Sequence, residues 1–219
     1  GTLSGFTMVD ANSFTVVFTA NAGLEVTGSV TVGTEYTDLV GNAGTTGSDT
    51  VAIDTLAPVP DIVDPLDGAL VRCFTVRLAE VGPPDAVRNV WQVRDADNNV
   101  VFTETSTVPE NQFEVFWDSH TVLDGPYTVW VEMFDAAGNS GTDTIQITVD
   151  NTPPTVVVDI VDGALNIGDS SSLVTIEFDE AVTGFDAGDL TPVGGTLSGF
   201  TMVDANSFTV VFTANAGLE

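Results

Sequence analysis

Residues 1–25, GTLSGFTMVDANSFTVVFTANAGLE, return unchanged as residues 195–219, which sets an internal period of 194 residues. A fixed period of this kind is the signature of chains that link copies of one folding unit in series. It constrains the fold strongly, because any architecture must accommodate the same words twice, each time with a core to bury them. The sequence starts on Gly1 rather than Met and stops at Glu219 within a strand-like run, so the expectation is a window cut from a tandem array. A cloning overlap is the alternative source of the identity.

Strand-like runs fill the space between the repeats. SFTVVFTA, LVRCFTVRLAEV, FEVFWDS, YTVWVEMFD, DTIQITVD and LVTIEFDEAV alternate apolar and polar residues, are rich in Val, Thr, Phe and Ile, and are bounded by Gly, Asp, Asn and Pro. That pattern predicts short strands at sandwich spacing, and no stretch keeps helical periodicity over three turns. The predicted fold class is all-β: tandem β-sandwiches in a linear array.

Two proline-bearing links divide the chain, IDTLAPVPD from Ile53 and VDNTPPTVV from Val149. Proline fixes the backbone and removes a donor, which suits a short, stiff connection. Cutting there predicts a complete domain of a second type at residues 58–152. A first type is split: its opening part is 153–219 and its closing part lies within 1–57, and the two types together make up one period. The split leaves unpaired strand edges that would seek partners, in the same polypeptide or in an identical chain.

Composition narrows the partners. The chain carries 32 acidic residues against four basic ones, all Arg, for a formal charge of −28. Such a surface repels nucleic acid and anionic membranes, and it attracts divalent cations or relies on screening by salt. No apolar run reaches the roughly 18 residues of a membrane-spanning helix. Cys73 is the single cysteine, so no internal disulfide forms, and it reads as a small hydrophobe.

Sandwich marks are densest in the second type. Leu123-Asp124-Gly125-Pro126-Tyr127 has the form of a tyrosine corner, with the Tyr127 hydroxyl expected to bond back to the backbone. Trp91 sits where an immunoglobulin-like fold buries a tryptophan, with Val87, Asn89 and Val93 expected on the same face. Trp130 and Phe134 are out of phase with Tyr127, Val129 and Val131 and are expected to face outward, where aromatic rings could stack on a glycan.

Asp135-Ala136-Ala137-Gly138-Asn139 and Asp38-Leu39-Val40-Gly41-Asn42 occupy equivalent places, each before a strand that ends in Asp and a proline link. Together with VDNTPP, FDEAVTGFDAGDL and GTLSGFT, they resemble the bacterial immunoglobulin-like repeats of giant secreted surface adhesins, the biofilm-associated and RTX-type extender modules. The first type matches that pattern throughout; the second matches it through DGPYTV, DAAGN and VDNTPP. The resemblance implies calcium at domain junctions and a location on the bacterial surface or outside the cell. The expected ligands are Asp54, Asp135 and Asn139 at one junction, and Asp150, Asp38, Asn42 and Asp179 or Glu180 at the other. Hard oxygen donors from several segments suit Ca²⁺. The plainer reading is that these Asp and Asn residues cap turns, as they do in most proteins.

Catalysis finds no constellation in the sequence. The single histidine lies in WDSHTV, and no nucleophile elbow, P-loop or zinc-protease motif is present. The expectation is therefore a non-enzymatic repeat of an adhesin stalk or fibre, each sandwich roughly 35–40 Å long by the rise of a β-strand. The competing expectations are a filament or sheath subunit completed by strand exchange between neighbours, and a carbohydrate-binding module. A saline habitat would account for the acidity without calcium.

Overall fold

The computed structural model describes residues 1–72, 74–107 and 113–217, and the chain divides into two compact units, Gly1–Asn151 and Thr152–Glu219. It is 55% strand and 3% helix, which is the all-β class expected from the alternating runs. Cys73 lies outside the described residues.

The first unit begins with two hairpins. Strand β1 (Thr2–Met8) pairs with β2 (Phe14–Thr19), and β3 (Glu25–Val32) pairs with β4 (Gly47–Asp54), both antiparallel. Eight further strands build a two-layer sandwich: β5 (Asp61–Asp64), β6 (Ala69–Val71), β7 (Val76–Val81), β8 (Ala86–Arg94), β9 (Val100–Ser106), β10 (Phe113–Trp117), β11 (Gly125–Asp135) and β12 (Ser140–Val149). One layer runs β10-β7-β5 and the other β6-β12-β11-β8-β9. Leu78, Trp91, Val93, Trp117, Val129 and Val131 are buried in the core between the two layers. Their spacing of two along each strand places alternate side chains on the inner face. The Tyr127 hydroxyl donates to Leu123 O at 2.8 Å, closing the tyrosine corner.

Two details differ from the sequence expectation. The run LVRCFTVRLAEV does not form one strand. Its first part, β6, pairs parallel with β12 in the five-stranded layer, and its second part, β7, belongs to the opposite layer. Alternation alone cannot reveal a strand that changes sheets, because both parts keep the same period. Val87 was expected beside Trp91, yet it is exposed and Ala86 is buried in its place. The pairing of β8 with β11 shifts register between Phe134 and Asp135, and the extra residue turns the chain over at that point.

One polar pair crosses the interior. Glu80 on β7 and Asn89 on β8 are 2% and 0% exposed, and the Asn89 side-chain amide donates to Glu80 Oε1. Glu80 Oε2 and Asn89 Oδ1 have no protein partner. Burial disfavours the charged carboxylate and pushes Glu80 up to about 7, against the opposing effect of the Asn89 hydrogen bond.

The second unit is a single antiparallel sheet in the order β13 (Val156–Ile160), β14 (Ser171–Phe178), β16 (Ser207–Ala214), β15 (Gly195–Met202). Val174, Ile176, Phe208 and Val210 form its small core. The Phe185 ring packs edge-on against Phe178 and Phe208 at 5.1 and 4.9 Å between centroids.

Candidate metal centre beside the proline link

The hairpin of β11 and β12 closes on Asp135-Ala136-Ala137-Gly138-Asn139, with Gly138 at φ 94°, a conformation that favours glycine. Asp135 Oδ1 accepts from the Asn139 backbone N–H at 2.8 Å, and Oδ2 accepts from Asn139 Nδ2 at 2.7 Å. The turn from Asp38 to Asn42 repeats this geometry at 2.8 and 2.7 Å, and Asp95 to Asn99 does so at 2.8 and 3.0 Å. In both of those turns the asparagine side-chain amide draws the aspartate below its ordinary value. A turn that recurs three times, twice on exposed surface, is a capping device first.

What sets Asp135 apart is its surroundings. It is 3% exposed, and ligand atoms of Asp54, Asp85 and Asp135 all lie within 4.8 Å of one another. Asp54 ends β4 and opens the proline link, Asp85 precedes β8, and Asp135 ends β11. Asn139 Nδ2 also reaches Asp54 O and Oδ1, each at 3.4 Å. The link is pressed into place: Pro58 and Pro60 are buried, and a Cβ on Gly141 would lie 1.9 Å from Pro58 O. Among the described residues the ion pairs join Arg77 to Asp64 and Glu114, and His120 to Asp118, so none compensates the three carboxylates. Clustered hard oxygens without a neutralising cation have the donor chemistry of a Ca²⁺ ligand set.

Of the residues expected to bind metal, the structure brings Asp54, Asp135 and Asn139 together. The other expected ligands form no such group among the described residues. Asp38 and Asn42 bond to each other on exposed surface. The Asp150 N–H donates to Val71 O at 3.1 Å at the end of β12. Asp179 accepts from the Thr155 N–H and hydroxyl at 2.7 and 2.6 Å, bonds that lower its carboxyl below the ordinary value. Glu180 follows Asp179 in the bend after β14 and is half-buried. Asp85 was not anticipated. It lies in GPPDAV, which follows β7 much as DEAV follows β14.

The outward aromatics are covered by cations. The Arg94 guanidinium lies 4.9 Å from the Trp130 ring centre and Arg88 lies 3.7 Å from that of Phe134. A sugar would have to displace these guanidinium groups before stacking.

Residues 150–219 match the family model of the bacterial Ig-like domain. No curated protein matches the chain. Similar solved structures include a tetra-tandem repeat in the extending region of a large adhesion protein, 21% identical with TM-score 0.37, covering 87% of this chain and 46% of that one. An endo-β-1,4-mannanase from Thermotoga petrophila is 16% identical with TM-score 0.35, over 45% of this chain and 21% of that one. Cadherin domains 1–4 of protocadherin gamma B7 are 15% identical with TM-score 0.32, over 97% of this chain and 59% of that one. The chain thus spans less than two thirds of each of these structures. Among the described residues no helix is long and apolar enough to cross a membrane.

Proposed function

We propose that this chain is a non-enzymatic structural repeat of an extracellular bacterial adhesin stalk or fibre, and that Ca²⁺ held by Asp54, Asp85 and Asp135 stiffens the proline link. The observation that carries the reading is that the link residue Asp54 meets two carboxylates from the following sandwich, one of them buried. The bacterial Ig-like match over residues 150–219 supports the structural class. A bound divalent cation neutralises the mutual repulsion of the three acids and ties β4 to the pole of the next sandwich, so that link and domain move together. Extracellular modules of this chemistry bind Ca²⁺ at roughly 10⁻⁴ to 10⁻³ M, which leaves the link pliable until export.

The test compares thermal unfolding in chelator, in millimolar CaCl₂ and in NaCl of matched ionic strength, for the natural chain and for Asp85→Asn. Ca²⁺ at about 100 times its dissociation constant stabilises the bound state by about 2.7 kcal/mol. The expected result is stabilisation by CaCl₂ well beyond the NaCl control and its reduction in Asp85→Asn. Equal stabilisation by both salts would assign the effect to screening and remove the metal from the reading.

A further inference from the structure

Glu80 and Asn89 meet across the two layers of the sandwich, and the bond between them uses only half of what they offer. The Asn89 side-chain N–H donates to Glu80 Oε1, while Glu80 Oε2 and Asn89 Oδ1 are buried without a protein partner. On an ionised glutamate both of these oxygens are acceptors, so neither can satisfy the other. A buried acceptor with no donor bears its full desolvation cost, which a folded chain rarely leaves uncompensated. The cover beside them is apolar: a Cβ on Gly82 would lie 3.4 Å from Glu80 Oε2 and 2.4 Å from Met133 Sδ. Met133 and Ala86 form a small cluster of their own, apart from the main core that holds Leu78, Trp91 and Val131. The polar pair lies at the seam between the two clusters, Glu80 after Leu78 on β7 and Asn89 before Trp91 on β8.

Burial and the Asn89 bond are the influences on the Glu80 proton, and the neighbouring charges are engaged elsewhere. Arg77 on β7 pairs with Asp64 of β5 and Glu114 of β10. Arg88 on β8 lies over the Phe134 ring, and Glu132 on β11 accepts from the Ser140 hydroxyl. Asp143 on β12 accepts from the Ile62 N–H, and Asp135 at the end of β11 accepts from Asn139. Asp61 on β5 and Glu104 on β9 are exposed, and Asp85 in the loop after β7 lies with Asp54 and Asp135.

We propose that Glu80 carries a proton on Oε2 and donates it to Asn89 Oδ1, so that the two side chains form a doubly hydrogen-bonded acid–amide clasp between the layers, which opens when the proton leaves. One proton satisfies both orphaned oxygens at once. Oε2 shares a carbon with the oxygen that already accepts from Asn89, and Oδ1 shares a carbon with the nitrogen that donates. Burial favours the same state, because it raises the carboxyl from 4.5 to about 7 against the opposing effect of the Asn89 bond. Loss of the proton sets a charged acceptor against the lone pairs of Oδ1 in an interior where such a mismatch is most costly. The clasp joins the three-stranded layer to the five-stranded one. It is complete in mild acid and loosens as pH rises through neutrality, a direction opposite to ordinary acid unfolding.

The test is NMR titration of the isotope-labelled full chain in chelator, from about pH 5 to about pH 9. The Glu80 carboxyl carbon should titrate in one step near pH 7, and the Asn89 amide carbon should move in the same step, because its oxygen loses a hydrogen bond. Hydrogen exchange gives the structural readout. Glu80→Gln supplies an amide that keeps both bonds at every pH, so it is the reference chain. Relative to it, the amides of β7 and β8 in the natural chain should open more than about tenfold more often at pH 8 than at pH 5. If Glu80→Gln fails to fold, the titration of the natural chain decides alone. A Glu80 carboxyl that titrates at or below its ordinary 4.5 would overturn the proposal. So would exchange with the same pH dependence in both chains. An Asn89 amide carbon that stays still while Glu80 titrates would assign its oxygen to bound water and also overturn it.

Discussion

Replacing Glu80 with Gln should change how the sandwich responds to pH, and the direction follows from where the proton prefers to be. In the folded chain burial raises the Glu80 carboxyl from 4.5 to about 7, whereas in the unfolded chain it is solvated and ordinary. The native state therefore binds this proton more tightly. Below about pH 4.5 both states hold it and Glu80 imposes no penalty; as pH rises towards 7 the unfolded state releases its proton first, and stability is lost. Above 7 both states are ionised and the loss is complete. At 1.36 kcal/mol per pH unit the interval corresponds to about 3 kcal/mol at most. Glutamine keeps the volume, carries no charge, and adds an N–H donor beside the Asn89 Oδ1 that has no partner.

The measurement is denaturant unfolding in chelator, followed by tryptophan fluorescence, which reports on the buried rings Trp91 and Trp117. Glu80→Gln and the natural chain should have similar stability near pH 4 and diverge as pH rises, with the variant more stable by up to about 3 kcal/mol at pH 8. Asp38, Asp95 and Asp179, whose carboxyls are lowered by hydrogen bonds from Asn42, Asn99 and Thr155, act in the opposite sense and in a lower window, losing their contribution as pH falls below the ordinary 3.8. Their effects cancel in the comparison. A difference that is independent of pH, or a natural chain that gains on the variant as pH rises, would refute the argument.

Other outcomes are equally direct. Gly141→Ala should displace the link, because the added Cβ has no space beside Pro58 O; a loss of about 1–3 kcal/mol in thermal unfolding, with weaker Ca²⁺ stabilisation, is expected. Tyr127→Phe removes the hydroxyl that bonds Leu123 O and leaves the ring packed, so calorimetry should show a loss of about 1 kcal/mol with the fold retained.

The strands of this chain were legible because one face of each is buried and the side-chain period is two. Trp91, Val93, Val129 and Val131 alternate as the pattern demands, and the tyrosine corner was readable from five residues. Val87 was misplaced because a bulge depends on the partner strand, and nothing within VRNVW announces it. The division of LVRCFTVRLAEV between two layers was hidden for a related reason, since the choice of sheet is made by distant strands. At the link, Asp54, Asp135 and Asn139 were visible as parts of a recurring turn and tail. Asp85 was harder to see because its place beside them is set by packing of the loop between β7 and β8, and Pro83-Pro84 conceals the analogy with the loop after β14.

In the stalk reading proposed above, the parallel pairing of β6 with β12 would set how the sandwich bears load. Tension enters the sandwich through the link before β5 and leaves through the end of β12, pulling β6 and β12 in opposite directions along their shared axis. Their register, Ile147 with Ala69, Thr148 with Leu70 and Val149 with Val71, is then loaded in shear. The Gly68 N–H to Gln146 O bond and the Asp150 N–H to Val71 O bond bracket the patch and strain along with it. Bonds loaded in shear must yield nearly together, whereas a hairpin pulled from its open end unzips one bond at a time. In that reading the three residues of β6 would act as a mechanical clamp, and their pairing with β12 would be the element that resists extension.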